Sequence, residues 1–135
     1  MIVADASAVL EVLLNTATAP ALARQFFAPD QSIHVPHLID VEVMQVLRRY
    51  TRSGTIHGER ARQALDDYLD MVLFRYPHDM LLPRVWELRN NFTAYDAVYI
   101  ALAEALEASL VTCDSALASA GAHRTQVLVF PTQIR

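Results

Sequence analysis

Apolar positions along this chain follow two rhythms. Short unbroken runs alternate with longer stretches in which apolar residues return every three or four positions. The runs read as strands: Met1-Ile2-Val3-Ala4, Ser32-Ile33-His34-Val35-Pro36, Ser109 to Asp114, and Gln126 to Phe130. The periodic stretches read as helices over Ala8 to Leu14, Ala19 to Phe27, His37 to Tyr50 and Glu59 to Val72. A short helix from Pro83 through Leu88 and another from Leu117 to a stop at Gly121 complete the set. In His37 to Tyr50 the inner stripe is Ile39, Val43, Val46, Leu47 and Tyr50; in Glu59 to Val72 it is Ala61, Ala64, Leu65, Tyr68, Leu69 and Val72. Arg75-Tyr76-Pro77 reads as a break. The stretch Asn91 to Glu104 differs from the rest: Thr93 is a good N-cap, and from Ala97 on the segment is apolar all round. That predicts a buried helix with one carboxylate, Asp96, in its first turn. Strand-helix alternation favours a parallel sheet with helices on both faces.

Composition narrows the possibilities. At 135 residues and 53% apolar content, the chain is expected to form one domain over residues 1–135 with a sizeable core. No run of 18 uncharged apolar residues exists, so no membrane span is expected. No basic stretch precedes an apolar one at the start, so no secretory signal is expected. The one cysteine, Cys113, excludes an internal disulfide and fits a reducing, cytoplasmic setting. All 11 basic residues are Arg. Without Lys there is no P-loop, and a receiver domain, which also gathers carboxylates at strand ends, loses the Lys it relies on. His34 and His37 lack a metal-ligand spacing, and the five His read as ordinary polar residues.

Against that background four carboxylates stand out. Asp5 and Asp114 end strands, where open α/β sheets place their ligands. Asp96 opens the buried helix, and Glu42 edges the stripe of another. Three of them have a plain structural alternative. Asp5 could be a turn or capping residue, with Ser7 capping the Ala8 to Leu14 helix. Asp96 could complement a helix dipole, and Glu42 could pair with Arg49. Carboxylates converging to about 4 Å repel by roughly 1–4 kcal/mol. Such a cluster either takes up protons or binds a hard cation. Oxygen ligands favour Mg²⁺ or Mn²⁺ over zinc, and the matching chemistry is phosphodiester hydrolysis by metal-activated water. Arg48, Arg49, Arg52, Arg60 and Arg62 gather around Ser53-Gly54; the first three are candidates for phosphate contact, since a polyanion approaching carboxylates needs compensation.

The combination Ile2-Val3-Ala4-Asp5-Ala6-Ser7, Glu42 within its helix, Thr93-Ala94-Tyr95-Asp96-Ala97 and Thr112-Cys113-Asp114 resembles the PIN-domain ribonucleases. Within them it is most similar to the VapC toxins of toxin–antitoxin pairs. The resemblance implies a three-layer α/β/α sandwich with a mainly parallel central sheet. It also implies metal-binding roles for Asp5, Glu42, Asp96 and Asp114, with Ser7 a hydroxyl that helps order the site. Some members carry a further acid two positions after the last aspartate; here that position is Ala116, which removes a fifth ligand. The resemblance further implies an RNA substrate, a small VapB-type antitoxin and a homodimer. Val9, Val12, Leu13, Leu22, Phe26 and Phe27 are candidates for an apolar docking groove; the alternative is that they pack on one another and on the Glu59 to Val72 helix. Two other functions remain open at this stage: a nuclease of the same fold acting on DNA, and a metal-binding module without turnover.

Overall fold

The computed structural model describes residues 1–119 and 122–132. Five short strands form one sheet: β1 (Ile2–Ala4), β2 (Ile33–Pro36), β3 (Leu73–Tyr76), β4 (Ser109–Thr112) and β5 (Val127–Val129). Their order is β3-β2-β1-β4-β5, and every pairing is parallel. β1 and β2 are buried throughout, as unbroken apolar runs require when helices cover both faces. The helices among the described residues are α1 (Ala6–Leu13), α2 (Ala19–Phe26), α3 (Leu38–Arg52), α4 (Gly58–Asp70), α5 (Leu82–Glu87), α6 (Ala94–Leu106) and α7 (Ala116–Ser119), with a 3₁₀ turn at Asp79–Leu81. Helices α1 to α4 pack together, while α5 and α6 pack on each other and α6 lies across β1, β2 and β4. This is the α/β architecture that the alternation predicts. The expected stop at Gly121 lies outside the described residues.

Helix α6 earns its central place by its side chains. Seven consecutive residues, Ala97 to Ala103, are buried, so the helix has no solvent face in its middle two turns. Its three alanines there, Ala97, Ala101 and Ala103, let the backbone lie close to the sheet. Thr93 caps it as expected, accepting the Asp96 amide on its hydroxyl at 3.2 Å.

Several boundaries depart from the sequence reading. The segment read as a break at Arg75-Tyr76-Pro77 is largely strand β3, which pairs with β2 from Ile33↔Leu73 to Pro36↔Tyr76. It is an edge strand and only half covered, and Arg75 interrupts its apolar residues. Tertiary contacts hold it: Arg75 grips the Asp40 carboxylate with Nε at 3.1 and 3.0 Å, and the Tyr68 hydroxyl donates to Asp40 Oδ1 at 2.5 Å. Buried His34 adds a second tie across β2 and β3, with its ring nitrogens 2.6 Å from the Tyr76 hydroxyl and 2.9 Å from the Ser32 hydroxyl. Burial lowers the pKa of that imidazole, which favours its neutral form.

On α4 the expected inner face holds for Ala64 and Tyr68, which are buried, and for Ala61 and Leu65, which are half-buried, Leu65 packing against the core. It fails at Leu69, 66% exposed, and at Val72, beyond the helix end and 78% exposed. Of the six residues considered for a docking groove, Val9, Leu13, Leu22 and Phe26 are in the core and Val12 packs against it. Only Phe27, just past the end of α2, stands out at 63% exposure.

Candidate active site

The site is positioned by the strand order. β1 and β4 are neighbours although about a hundred residues separate them, because the chain builds β2 and β3 on one side of β1 and then crosses to the other. The register Ala4↔Val111 sets Asp5 beside Thr112 and brings Asp114 to the same edge. That edge is the carboxyl end of a parallel sheet at the point where the order reverses, where such folds open a crevice.

Asp5 is both a capping residue and a member of this cleft. Its side chain, not that of Ser7, caps α1, accepting the Ala8 amide on Oδ1 at 3.1 Å. Ser7 lies inside the helix, which begins at Ala6 rather than Ala8. Its hydroxyl donates to Asp5 Oδ1 at 2.6 Å and accepts the Cys113 amide at 3.0 Å, tying α1 to the end of β4. The Thr112 hydroxyl donates to Asp5 Oδ2 at 2.5 Å and accepts the Asp114 amide at 3.0 Å. Asp5 is only 7% exposed. Burial raises its pKa, the three hydrogen bonds offset part of that, and the Asp114 charge adds to the rise.

The other acids come from three further elements. Asp96, in the first turn of α6, has its pKa raised by partial burial and then by the charges of Asp114 and Asp5. Glu42, on α3, is raised by burial, with smaller contributions from the charges of Asp5 and Asp96; a hydrogen bond from Tyr99 opposes them. Asp114 is exposed and accepts the Ala116 amide on Oδ1 at 2.9 Å, at the start of the short α7. Each of the four therefore lies in the field of at least one other. Among the described residues no Arg or His comes within ion-pair distance of any of them. The partner considered for Glu42, Arg49, does not pair with it; the Tyr99 hydroxyl does, at 2.5 Å.

A cleft of about 390 Å³ opens here, lined by Ser7, Glu11, Glu42, Arg49, Cys113 and Asp114 among others. Its donors suit a hard cation: carboxylate and hydroxyl oxygens, without imidazole. The Cys113 thiol is no soft ligand in waiting, since burial and then the charges of Glu11 and Asp5 push its pKa up to about 12. Among the described residues, no three His, Cys, Asp or Glu side chains already stand together as a ligand shell. A larger cavity of about 610 Å³ lies at the other end of β4, but Arg84 already occupies its Glu104 carboxylate, at 2.7 Å from Nε and 3.0 Å from Nη2.

The structure separates the three candidate Arg residues. Arg49 lines the acidic cleft, whereas Arg48 and Arg52 line a different groove, between α3 and α4, together with Arg62. Three residues have no role in the sequence reading: Glu11, which lines the cleft, and Thr112 and Tyr99, which are buried behind it and bond Asp5 and Glu42. Thr112 was visible only as part of a motif, and Glu11 only as the residue one helical turn beyond Ser7. Tyr99 looked like any other apolar position of α6.

A parallel α/β fold with an uncompensated acidic cleft at its switch point defines the class. The PIN-domain family profile matches residues 2–122, and the chain belongs to that family. Its members generally depend on a divalent metal. Ribonuclease VapC9 of Mycobacterium tuberculosis is 43% identical over 131 residues, covering 97% of this chain and 99% of that protein. Ribonuclease VapC1 of the same organism is 43% identical over 119 residues, covering 87% and 89%. Among solved structures, M. tuberculosis VapC20, a sarcin–ricin-loop-cleaving toxin, superposes with a TM-score of 0.69 at 16% identity, covering 90% of this chain and 95% of that one. A toxin–antitoxin complex from Klebsiella pneumoniae superposes at 0.67 with 17% identity, covering 98% and 99%. No described helix is long and apolar enough to cross a membrane.

Proposed function

We propose that this protein is a Mg²⁺- or Mn²⁺-dependent endoribonuclease, a single PIN domain acting in the cytoplasm as the toxin of a VapBC-type pair. The observation that carries the reading is the set of Asp5, Glu42, Asp96 and Asp114: four carboxylates in one another's field, with no basic partner in reach among the described residues. Uncompensated charge of that kind costs stability, and a folded chain retains it where a cation is to be held. Relatives named as ribonucleases at 43% identity over nearly the whole chain support RNA as substrate.

In this reading Asp5, Asp96 and Asp114 would hold the ion, and Glu42 would complete the set or orient the attacking water. A bound ion would acidify that water and offset charge on the phosphate. Ser7 and Thr112 keep Asp5 fixed so that it need not reorganise. Arg49, in the same cleft, meets a phosphate of the bound strand. Hydrolysis by water leaves a 5′-phosphate and a 3′-hydroxyl. The partner is a VapB-type antitoxin, in line with the toxin–antitoxin assembly among similar structures, and the toxin itself is a homodimer.

The test is to induce the protein, map cleavage ends in total RNA, and repeat the cleavage in vitro with and without EDTA. Discrete ends carrying 5′-phosphates, lost on chelation and restored by Mg²⁺ or Mn²⁺ but poorly by Zn²⁺, are expected. Cleavage indifferent to EDTA, or ends with 2′,3′-cyclic phosphates, would refute the mechanism.

A further inference from the structure

We propose that Tyr99 is a positioning residue for the acidic cleft: its hydroxyl tethers one carboxylate oxygen of Glu42 so that the other is left for the bound ion or its water. The inference rests on the metal-dependent reading above and adds a residue to it.

Tyr99 follows Asp96 by three positions on α6, so the two side chains share a face of that helix. One element thus carries an acid directly and, one turn later, the hold on a second acid from another element. Tyr99 is 2% exposed, so its hydroxyl cannot rely on bulk water and needs a protein acceptor. It finds one 57 residues away, in Glu42 Oε1 at 2.5 Å. Among the described residues this is Glu42's one hydrogen bond, and no cation pairs with it.

The chemistry of the tether matters. A glutamate has three side-chain torsions, and the charges of Asp5 and Asp96 repel this one. Left alone it would swing away from the cleft. An Arg or Lys could hold it, but would cancel the negative charge an ion needs. A neutral phenol restrains the carboxylate and leaves its charge in place. It engages a single oxygen, because it has a single proton to donate. Groups that orient metal ligands in this way commonly alter metal affinity or activity by about 10- to 100-fold when removed.

The alternative is that Tyr99 merely fills the core and its hydroxyl happens to find a carboxylate. Tyr99→Phe separates the two, since it keeps the ring. The measurement is Mn²⁺ binding to the purified protein by electron paramagnetic resonance, beside single-turnover RNA cleavage. Tyr99→Phe is expected to bind Mn²⁺ about 10-fold or more weakly and to lose rate with little change in the RNA concentration at half-saturation. Glu42→Asp, which keeps the charge but withdraws the carboxylate from the hydroxyl, tests the same tether without altering the core. It is expected to show a similar loss, and the double variant little more than either single one. Mn²⁺ affinity within twofold of the parent in Tyr99→Phe or in Glu42→Asp, or fully multiplicative losses in the double variant, would overturn the inference. A parent that neither binds Mn²⁺ nor cleaves with it would instead overturn the functional reading itself.

Discussion

The Thr112 hydroxyl and the Asp5 carboxylate meet across 107 residues of sequence, at the join between the two central strands. Thr112 is fully buried, and the same hydroxyl oxygen accepts the Asp114 amide, so one side chain sets the relation between two acids of the cleft. Thr112→Val keeps the shape and removes both bonds. Leaving a buried carboxylate short of a donor costs about 1–3 kcal/mol. We expect urea unfolding to show a loss of that size, and cleavage to fall about 10- to 100-fold. Unchanged stability and activity would mean that Thr112 only fills space.

Asp5→Asn and Asp96→Asn should each reduce cleavage by about 100-fold or more, because the amide keeps the shape and loses the charge that holds a cation. Circular dichroism should show both variants folded. Retained cleavage by both, in buffer of matched metal content, would exclude these carboxylates from the chemistry.

Stability without metal should depend on pH in a defined sense. The pKa of Asp96 is raised in the folded state, so over the range between its unfolded and folded values the native protein binds more protons than the unfolded chain. Its charge therefore costs stability above that range, and the cost disappears as pH falls through the raised value. Near neutral pH, metal-free Asp96→Asn should melt higher than the parent by ~2–6 °C. The gap should close as the pH is lowered toward the carboxylate range. Taking the difference between two proteins cancels the opposing titrations of His34, Asp40 and Glu104, whose pKa values are all lowered. A gap that does not change with pH would show that the repulsion is not what destabilises the parent.

Arg49 and the pair Arg48 and Arg52 should behave differently toward RNA. Arg49→Ala removes a cation from the acidic cleft and should flatten the salt dependence of RNA binding by about 0.7 in slope, the value for one phosphate contact on a single strand. Changing Arg48 and Arg52 together, in the groove between α3 and α4, should leave that slope close to the parent's. Equal slopes for Arg49→Ala and the parent would remove Arg49 from the substrate path.

What the sequence determined alone is what short-range chemistry controls. Short apolar runs that stop at an aspartate suit covered strands, and the stretches from Met1 and from Ser109 place Asp5 and Asp114 at strand ends. Thr93 caps α6 because a hydroxyl three residues ahead of a free amide suffices, and that puts Asp96 in the first turn. Tertiary structure decided the rest, because the deciding partners are far apart in the chain. β3 is a strand through its pairing to β2 and the Asp40–Arg75 ion pair; its apolar residues run on from the end of the Glu59 to Val72 stretch with no turn residue to mark a boundary. The cap of α1 falls on Asp5 rather than Ser7 because the helix begins at Ala6, and the Ser7 hydroxyl instead accepts the Cys113 amide just past β4. Glu42 chose Tyr99 over Arg49, although Arg49 shares its helix and its cleft. A hydroxyl buried in the neighbouring helix has no water to turn to, while an exposed guanidinium does.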